Sequence, residues 1–328
     1  MDYQKLFKSK LDRRRLLGNL GLMGAGAVMT ACGSSVIGQP NPNPNPNPTP
    51  STNLDPAILN FALNLEYLEA AFYLAAVGRI DEINTVGGDA DILLPDGFDG
   101  TTAIKFDTPE TESYASEIAS DELAHVNFLR GALDAAGAPV ADRPTLDFGT
   151  AFPAAAAAAF PDVDPDLTAQ FNPFANELLF LHGAFIFEDV GVTAYNGAAP
   201  AITDKMGVLA PAAGILAVEA YHAGEIRTIL YGLRDEDTPF GVPVQAVVQG
   251  ISDLRASLGG GSDQGIVNDD GSANIIPTDE NSVAFARTPR QVANIVYFAP
   301  DAAKGGFFPD GITVPAGLED AFASLLAL

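Results

Sequence analysis

Apolar residues fill every side of the stretch Asp55 to Val77, DPAILNFALNLEYLEAAFYLAAV, instead of alternating or marking a single stripe. Such a segment predicts a helix buried in the middle of a larger assembly, with Asp55 as its N-cap and Pro56 at its first position. A second helix begins at Thr108-Pro109-Glu110, where capping and first-turn signals coincide, and runs through Leu133 to Ala136, ahead of Gly137. From Pro173 to Tyr195 the sequence is again apolar all round, and Asp204 to Leu233 supplies a fourth helix, which Pro211 either opens or kinks. The connections between them are irregular: 78–107 is rich in Gly, Asp and Thr, and the stretch before Asn172 holds several prolines and an alanine run at 154–159. Four long apolar helices in succession predict an all-α fold, a four-helix bundle over residues 55–235. Residues 236–328 read as an irregular, partly helical extension packed on the bundle. It holds a short amphipathic helix in QAVVQGISDLRASLGG, a Gly- and Asp-rich stretch at 259–283, a helix over Pro289 to Phe298 and a turn-rich GGFFPDGI.

The first 54 residues follow a different pattern. Three arginines at 13–15 lead into LLGNLGLMGAGAVMTA, sixteen residues that are too few to span a bilayer comfortably and read as a signal peptide over 1–31. The arginines before Leu16 and Leu17 resemble a twin-arginine export signal, with Asp12 where such signals more often carry a hydroxyl residue; the route implies export in the folded state to the periplasm or cell envelope. MTACG, residues 29–33, resembles a lipoprotein cleavage box. Cys32 is the only cysteine, so the domain beyond it cannot form disulfides, and lipid attachment is the expected role of Cys32, against simple removal with the signal. The Pro/Asn-rich linker that follows, within residues 32–54, favours extended polyproline geometry and would hold the domain off a membrane.

Charge narrows the partners. The chain carries 17 Lys and Arg against 42 Asp and Glu; without residues 1–31 the balance is 11 against 40, or −29. Such a surface repels nucleic acid and anionic lipid and attracts cations. A membrane is expected to be met through the lipid anchor only.

Against the apolar helices a few polar residues stand out. Glu122-Leu-Ala-His125 in the second helix recurs as Glu219-Ala-Tyr-His222 in the fourth, and these hold two of only three histidines in the chain. Residues three apart lie about 60° apart on a helix and one turn from each other, so acid and imidazole can reach one object. The first and third helices repeat a different spacing: Glu66 precedes Tyr73 by seven, and Glu188 precedes Tyr195 by seven, two turns along one face. The order Glu, then Glu-x-x-His, thus occurs twice. Four carboxylates and two imidazoles converging in a bundle form a ligand set for two metal ions, each held by one His, one terminal carboxylate and two bridging carboxylates. Buried salt bridges are the plainer reading, but four acids against two histidines leave negative charge that salt bridges would not neutralise. Glu69, on the same face as Glu66, is an alternative or outer ligand. His182 points elsewhere and reads as a satisfied core or interface histidine, while Glu225 and Arg227 read as an outer or surface pair. Tyr73 and Tyr195 are packing residues that hydrogen-bond a ligand carboxylate, with a redox role as the weaker option.

This pattern resembles the ferritin-like superfamily of di-iron and di-manganese carboxylate proteins, and LNFALNLEYLEAAFYLAA together with FARTPRQVANIVYFAPDAAKGGFFPDGI is similar to the ferritin-like desiccation-related proteins. The resemblance implies that Glu66, Glu122, His125, Glu188, Glu219 and His222 hold two iron or manganese ions. It also implies that Asp121 orients a ligand histidine from outside the ligand set, a feature absent at the equivalent Val218. Oxidant chemistry on oxygen or peroxide, either peroxide dismutation or iron(II) oxidation, is then expected in stress or desiccation tolerance. The alternative is a non-catalytic protective or metal-sequestering envelope protein. A closed storage shell does not suit an anchored, tailed chain, and a monomer or homodimer is expected.

Overall fold

The structure, a computed structural model, describes residues 53–328; the signal read over 1–31, Cys32 and the proline-alternating run lie outside them. Helix α1 (Asp55–Ala76) is buried on nearly every side, as its unbroken apolar pattern requires. Asp55 does not cap it. Its carboxylate accepts from the Thr203 and Asp204 N–H groups at 2.8 Å each, tying the start of α1 to the connection before the last bundle helix, while Asn53 Oδ1 takes the Asp55 N–H at 3.0 Å. After a one-turn helix α2 (Asp81–Asn84), the first connection contributes β1 (Ile92–Leu93).

Helix α3 (Pro109–Ala135) begins as its sequence predicts, with the Thr108 side chain accepting from the Thr111 N–H. Glu177 adds a second support, accepting from the Asp107 and Thr108 N–H groups at 2.7 and 2.9 Å. Gly137, at φ +65°, ends the helix in a conformation that side chains resist.

The second connection is more ordered than its prolines suggest. Strand β2 (Leu146–Asp147) pairs in parallel with β1, Ile92 against Leu146 and Leu93 against Asp147. The alanine run becomes α4 (Ala151–Ala159), because alanine is the best helix former and this helix buries Phe152, Ala155 and Ala156. A short α5 (Pro165–Thr168) follows.

Helix α6 (Glu177–Ala198) starts four residues after Pro173, because the Asn176 side chain caps it by accepting from the Leu179 N–H. The last bundle helix has two parts: a π-helical turn (Lys205–Leu209), capped by Asp204, runs into α7 (Ala210–Gly232). Pro211 opens α7. It has no N–H to give the preceding turn, and the Ala210 N–H instead reaches Lys205 O, five residues back.

In the bundle α1 lies chiefly against α3 and α6 against α7, and the two hairpins meet along the α1–α6 seam. One end of this core is aromatic, with six rings around Phe72 at centroid distances of 5.2–6.0 Å.

The extension supplies α8 (Val244–Leu258), α9 (Pro289–Tyr297) and α10 (Glu319–Leu325). As predicted, α8 is amphipathic, burying Val244, Val247, Val248 and Ile251, and α9 opens with a capping box between Thr288 and Gln291. Bundle and extension are joined by a buried charge network. Asp189 on α6 accepts from Arg227 of α7 and Arg255 of α8, both at 2.8 Å, and Asp263 accepts from Arg255 and Arg287. Arg227 was expected in an outer or surface pair with Glu225; it is instead fully buried and also donates to the carbonyls of Gly265, Asn274 and Ile275. The described residues form one compact unit.

Candidate metal centre

Each bundle helix turns one part of a common cluster inward. Glu66 on α1, Glu122 and His125 on α3, Glu188 on α6, and Glu219 and His222 on α7 are all buried, the four carboxylates at 1% exposure or less. They fall into two overlapping groups whose ligand atoms lie within 4.8 Å of one another: Glu66, Glu122, His125 and Glu219, and then Glu122, Glu188 and His222. The Glu122 carboxylate is common to both. Glu219 joins only the His125 group, so the arrangement is less symmetric than the repeated motifs suggest.

Both imidazoles present Nδ1 to the carboxylates. His125 Nδ1 lies 3.1 Å from Glu66 Oε2 and 3.5 Å from oxygens of Glu122 and Glu219. His222 Nδ1 lies 3.0 Å from Glu122 Oε1 and 3.6 Å from Glu188 Oε2. The remaining nitrogen of His222 faces Asp121 across the bundle, Nε2 to Oδ2 at 3.3 Å. Asp121 thus sits where it can fix the ring's tautomer and turn Nδ1 toward the carboxylates.

The tyrosines act crosswise. Tyr73 on α1 donates to Glu188 Oε1 on α6, and Tyr195 on α6 donates to Glu66 Oε1 on α1. Each shares a face with the glutamate of its own helix, yet bonds the glutamate of the opposite one. One oxygen of each outer carboxylate is thereby held, and the other, Oε2, faces an imidazole.

What is left over inside is informative. Both oxygens of Glu122 and of Glu219, Glu188 Oε2 and His222 Nδ1 are buried without a hydrogen-bond partner. Unsatisfied buried polar atoms are costly and rare, and six of them aimed at one place require a compensating group. Cations of the kind that accept mixed carboxylate and imidazole ligands fit this set.

The electrostatics agree. Burial raises the Glu66 carboxyl to about 7, with the Glu122 charge adding to it. Burial and the surrounding carboxylates push Glu219 well above the ordinary range. Burial works to raise Glu122 too, but two flanking imidazoles outweigh it and hold that carboxyl at about 2. Burial would depress both histidines; the carboxylates reverse this, raising His125 and bringing His222 to about 12. Without metal the cluster therefore holds itself together with protons, which a bound cation must displace.

A family model for the ferritin-like domain matches residues 54–232, the span that holds all six of these residues. The chain belongs to the ferritin-like family. It is 31% identical to desiccation-related protein PCC13-62 of Craterostigma plantagineum over 72% of this chain and 75% of that one. It is 25% identical to ferritin-like catalase Nec2 of Nesocodon mauritianus over 78% of this chain and 83% of that one. No solved structure matches it.

Two further residues singled out from the sequence lie outside the ligand groups. Glu69 lies one turn beyond Glu66, 4% exposed, outside both groups and in no hydrogen bond among the described residues. Burial and then Glu219 push its carboxyl well up. His182 lies away from the cluster, fully buried, its Nδ1–H donating to Leu178 O at 2.7 Å. Asp189, Arg255 and Asp263 were not singled out from the sequence. The signal for Asp189 was present: a second acid directly beside Glu188 in an otherwise apolar helix.

Proposed function

We propose that this chain is an exported oxidant-handling protein whose cluster binds two iron or manganese ions and dismutates hydrogen peroxide. The observation that carries the reading is the set of six buried, partnerless ligand atoms converging from three helices. When bound, the ions supply the redox chemistry: two H2O2 give two H2O and one O2, one peroxide reduced and the other oxidised, so no outside reductant is needed. The protein's own part is to hold the site. Glu122 serves both positions, Glu66 and Glu188 each offer the oxygen their tyrosine leaves free, and His125 and His222 offer Nδ1. Asp121 orients His222, and the apolar walls exclude bulk water.

The 25% identity to a protein named as a ferritin-like catalase supports peroxide as substrate, and the 31% identity to one named as desiccation-related supports a role in drying or oxidative stress. Twin-arginine export fits a cofactor inserted before translocation, and an anchor, spacer and tail that would crowd a closed cage fit a monomer or homodimer held at the envelope through a lipid on Cys32. Metal analysis of the exported protein, with peroxide consumption and iron(II) oxidation assayed together, tests the reading. Two ions per chain with peroxide turnover support it. Iron(II) oxidation without peroxide turnover moves the assignment to a ferroxidase. Two ions with neither activity make the site structural and the protein a protective one, and less than one ion per chain removes the dinuclear site.

A further inference from the structure

The α1–α6 seam contains two neighbouring cavities. The inner one, about 20 Å3, is walled by Leu65, Leu68, Val190 and Gly191 of the bundle and covered by Ile295 and Phe307 of the extension. Glu69 is the one charged side chain that lines it. The outer one, about 30 Å3, is lined by Phe61, Ala62, Leu65, Tyr195 and Ala198 among others, and Ala62, Tyr195 and Ala198 are partly exposed. Leu65 is a wall of both.

The inner cavity ends at the centre. Glu69 and Glu219 converge over the bare Cα of Gly191: a Cβ there would stand 3.3 Å from Glu69 Oε1 and 2.2 Å from Glu219 Oε2. A side chain at residue 191 would collide with Glu219 and crowd Glu69, so only glycine lets both carboxylates reach this wall of the cavity. The size is also suitable. A cavity needs roughly 10–15 Å3 to seat one water, so the inner cavity accepts a molecule of one or two water sizes, which is the size of hydrogen peroxide.

We propose that the α1–α6 seam is the route by which a small uncharged oxidant reaches the centre: it enters beside Ala62, passes Leu65 and meets Glu69 before the metals. This rests on the oxidant-handling reading above. Apart from Glu69 the walls of the inner cavity are apolar, and they would oppose a hydrated ion while admitting peroxide or oxygen. The one partly exposed carboxylate that touches the cluster, Asp121 behind His222 at 43% exposure, lies on the α3–α7 face and away from this seam. Glu69 supplies a charged, hydrogen-bonding side chain at the inner end that no other wall residue offers, and the extension contributes Ile295 and Phe307 to the walls there.

The test fills the outer cavity at a partly exposed position. In the metal-loaded full chain, Ala62→Phe is expected to lower kcat/KM for hydrogen peroxide about tenfold or more with kcat and metal content unchanged, because access and not chemistry is impeded. Leu65→Ala, which joins the two cavities, should leave kcat/KM at or above the native value. Native kcat/KM in Ala62→Phe at full metal content overturns the route. If the native protein with two metals consumes no peroxide, the oxidant reading fails, and the seam is judged separately in crystals pressurised with xenon. Xenon in the two cavities, lost from the outer one in Ala62→Phe, upholds an open path for small uncharged molecules; its absence from both overturns the proposal.

Discussion

Glu122 is the residue on which both halves of the cluster depend. Its carboxylate lies in both ligand groups, whereas Glu219 lies in one. Glu122→Ala should therefore remove both ions, while Glu219→Ala should leave one of two, a difference read by elemental analysis of the purified variants. The tyrosines act at one remove. Tyr73→Phe or Tyr195→Phe frees one oxygen of Glu188 or Glu66, and loss of such a support for a ligand is expected to weaken metal affinity about 10- to 100-fold, measured by competition with a chelator. His182 gives a residue-scale effect away from the metals. Burial lowers its pKa from 6.5 to about 4, so the fold favours the neutral ring. That stability is present above 6.5 and is lost as pH falls from 6.5 toward 4, on the order of 3 kcal/mol for a fully buried ring. In denaturant melts at pH 7 and pH 4.5, His182→Gln should show a smaller loss than the native protein; an equal loss would mean that another group carries it. At this scale the sequence was eloquent where a polar residue interrupted an apolar run: Glu66, Glu122, His125, Glu188, Glu219 and His222 all stood out. Spacing along one helix did not show which partner a side chain would take across the bundle, so the crosswise tyrosine bonds emerged only with the fold.

Among the elements, the network at Asp189 decides whether bundle and extension hold together. The Asp189 carboxylate bonds two guanidiniums, those of Arg227 and Arg255, which are 0% and 2% exposed. Asp189→Ala leaves both without that partner, and breaking a buried pair in this way costs about 3–5 kcal/mol. The loss should appear as a lower denaturation midpoint in protein that retains its metal content when folded. Asp189→Asn, which keeps an acceptor, should cost less. The four bundle helices were legible because continuous apolar faces have only one place to go. The network was not: Arg255 sits in an amphipathic stretch and Asp263 in a Gly-rich loop, where charged residues normally face water, and only long-range packing buries them together. The alanine run that became α4 was misread for a related reason, since flanking prolines mark irregular chain while the buried face at Phe152 and Ala155 depends on helices far away in sequence.

For the molecule as a whole, metal and proton compete for one cavity. In the metal-free fold Glu66 titrates at about 7 against 4.5 when unfolded, so the fold prefers its neutral form. A raised carboxyl of this kind weakens the metal-free fold as pH rises from about 4.5 to about 7, and it does so further if Glu69 and Glu219 are forced to ionise. Bound cations reverse the sign, because they need the carboxylates charged and the histidines deprotonated, and binding releases protons. Removing metal should therefore lower the Tm little near pH 5 and increasingly as pH approaches 8, with the native Tm restored on reloading. Calorimetric titration with manganese in two buffers of different ionisation enthalpy should show proton release at pH 6. A gap in Tm that stays constant with pH, together with no proton release, would mean that the cluster is ionised before metal arrives. The surplus of negative charge would then have to be balanced by cations from the protein itself, and the buried guanidiniums of Arg227, Arg255 and Arg287 are paired with Asp189 and Asp263 instead.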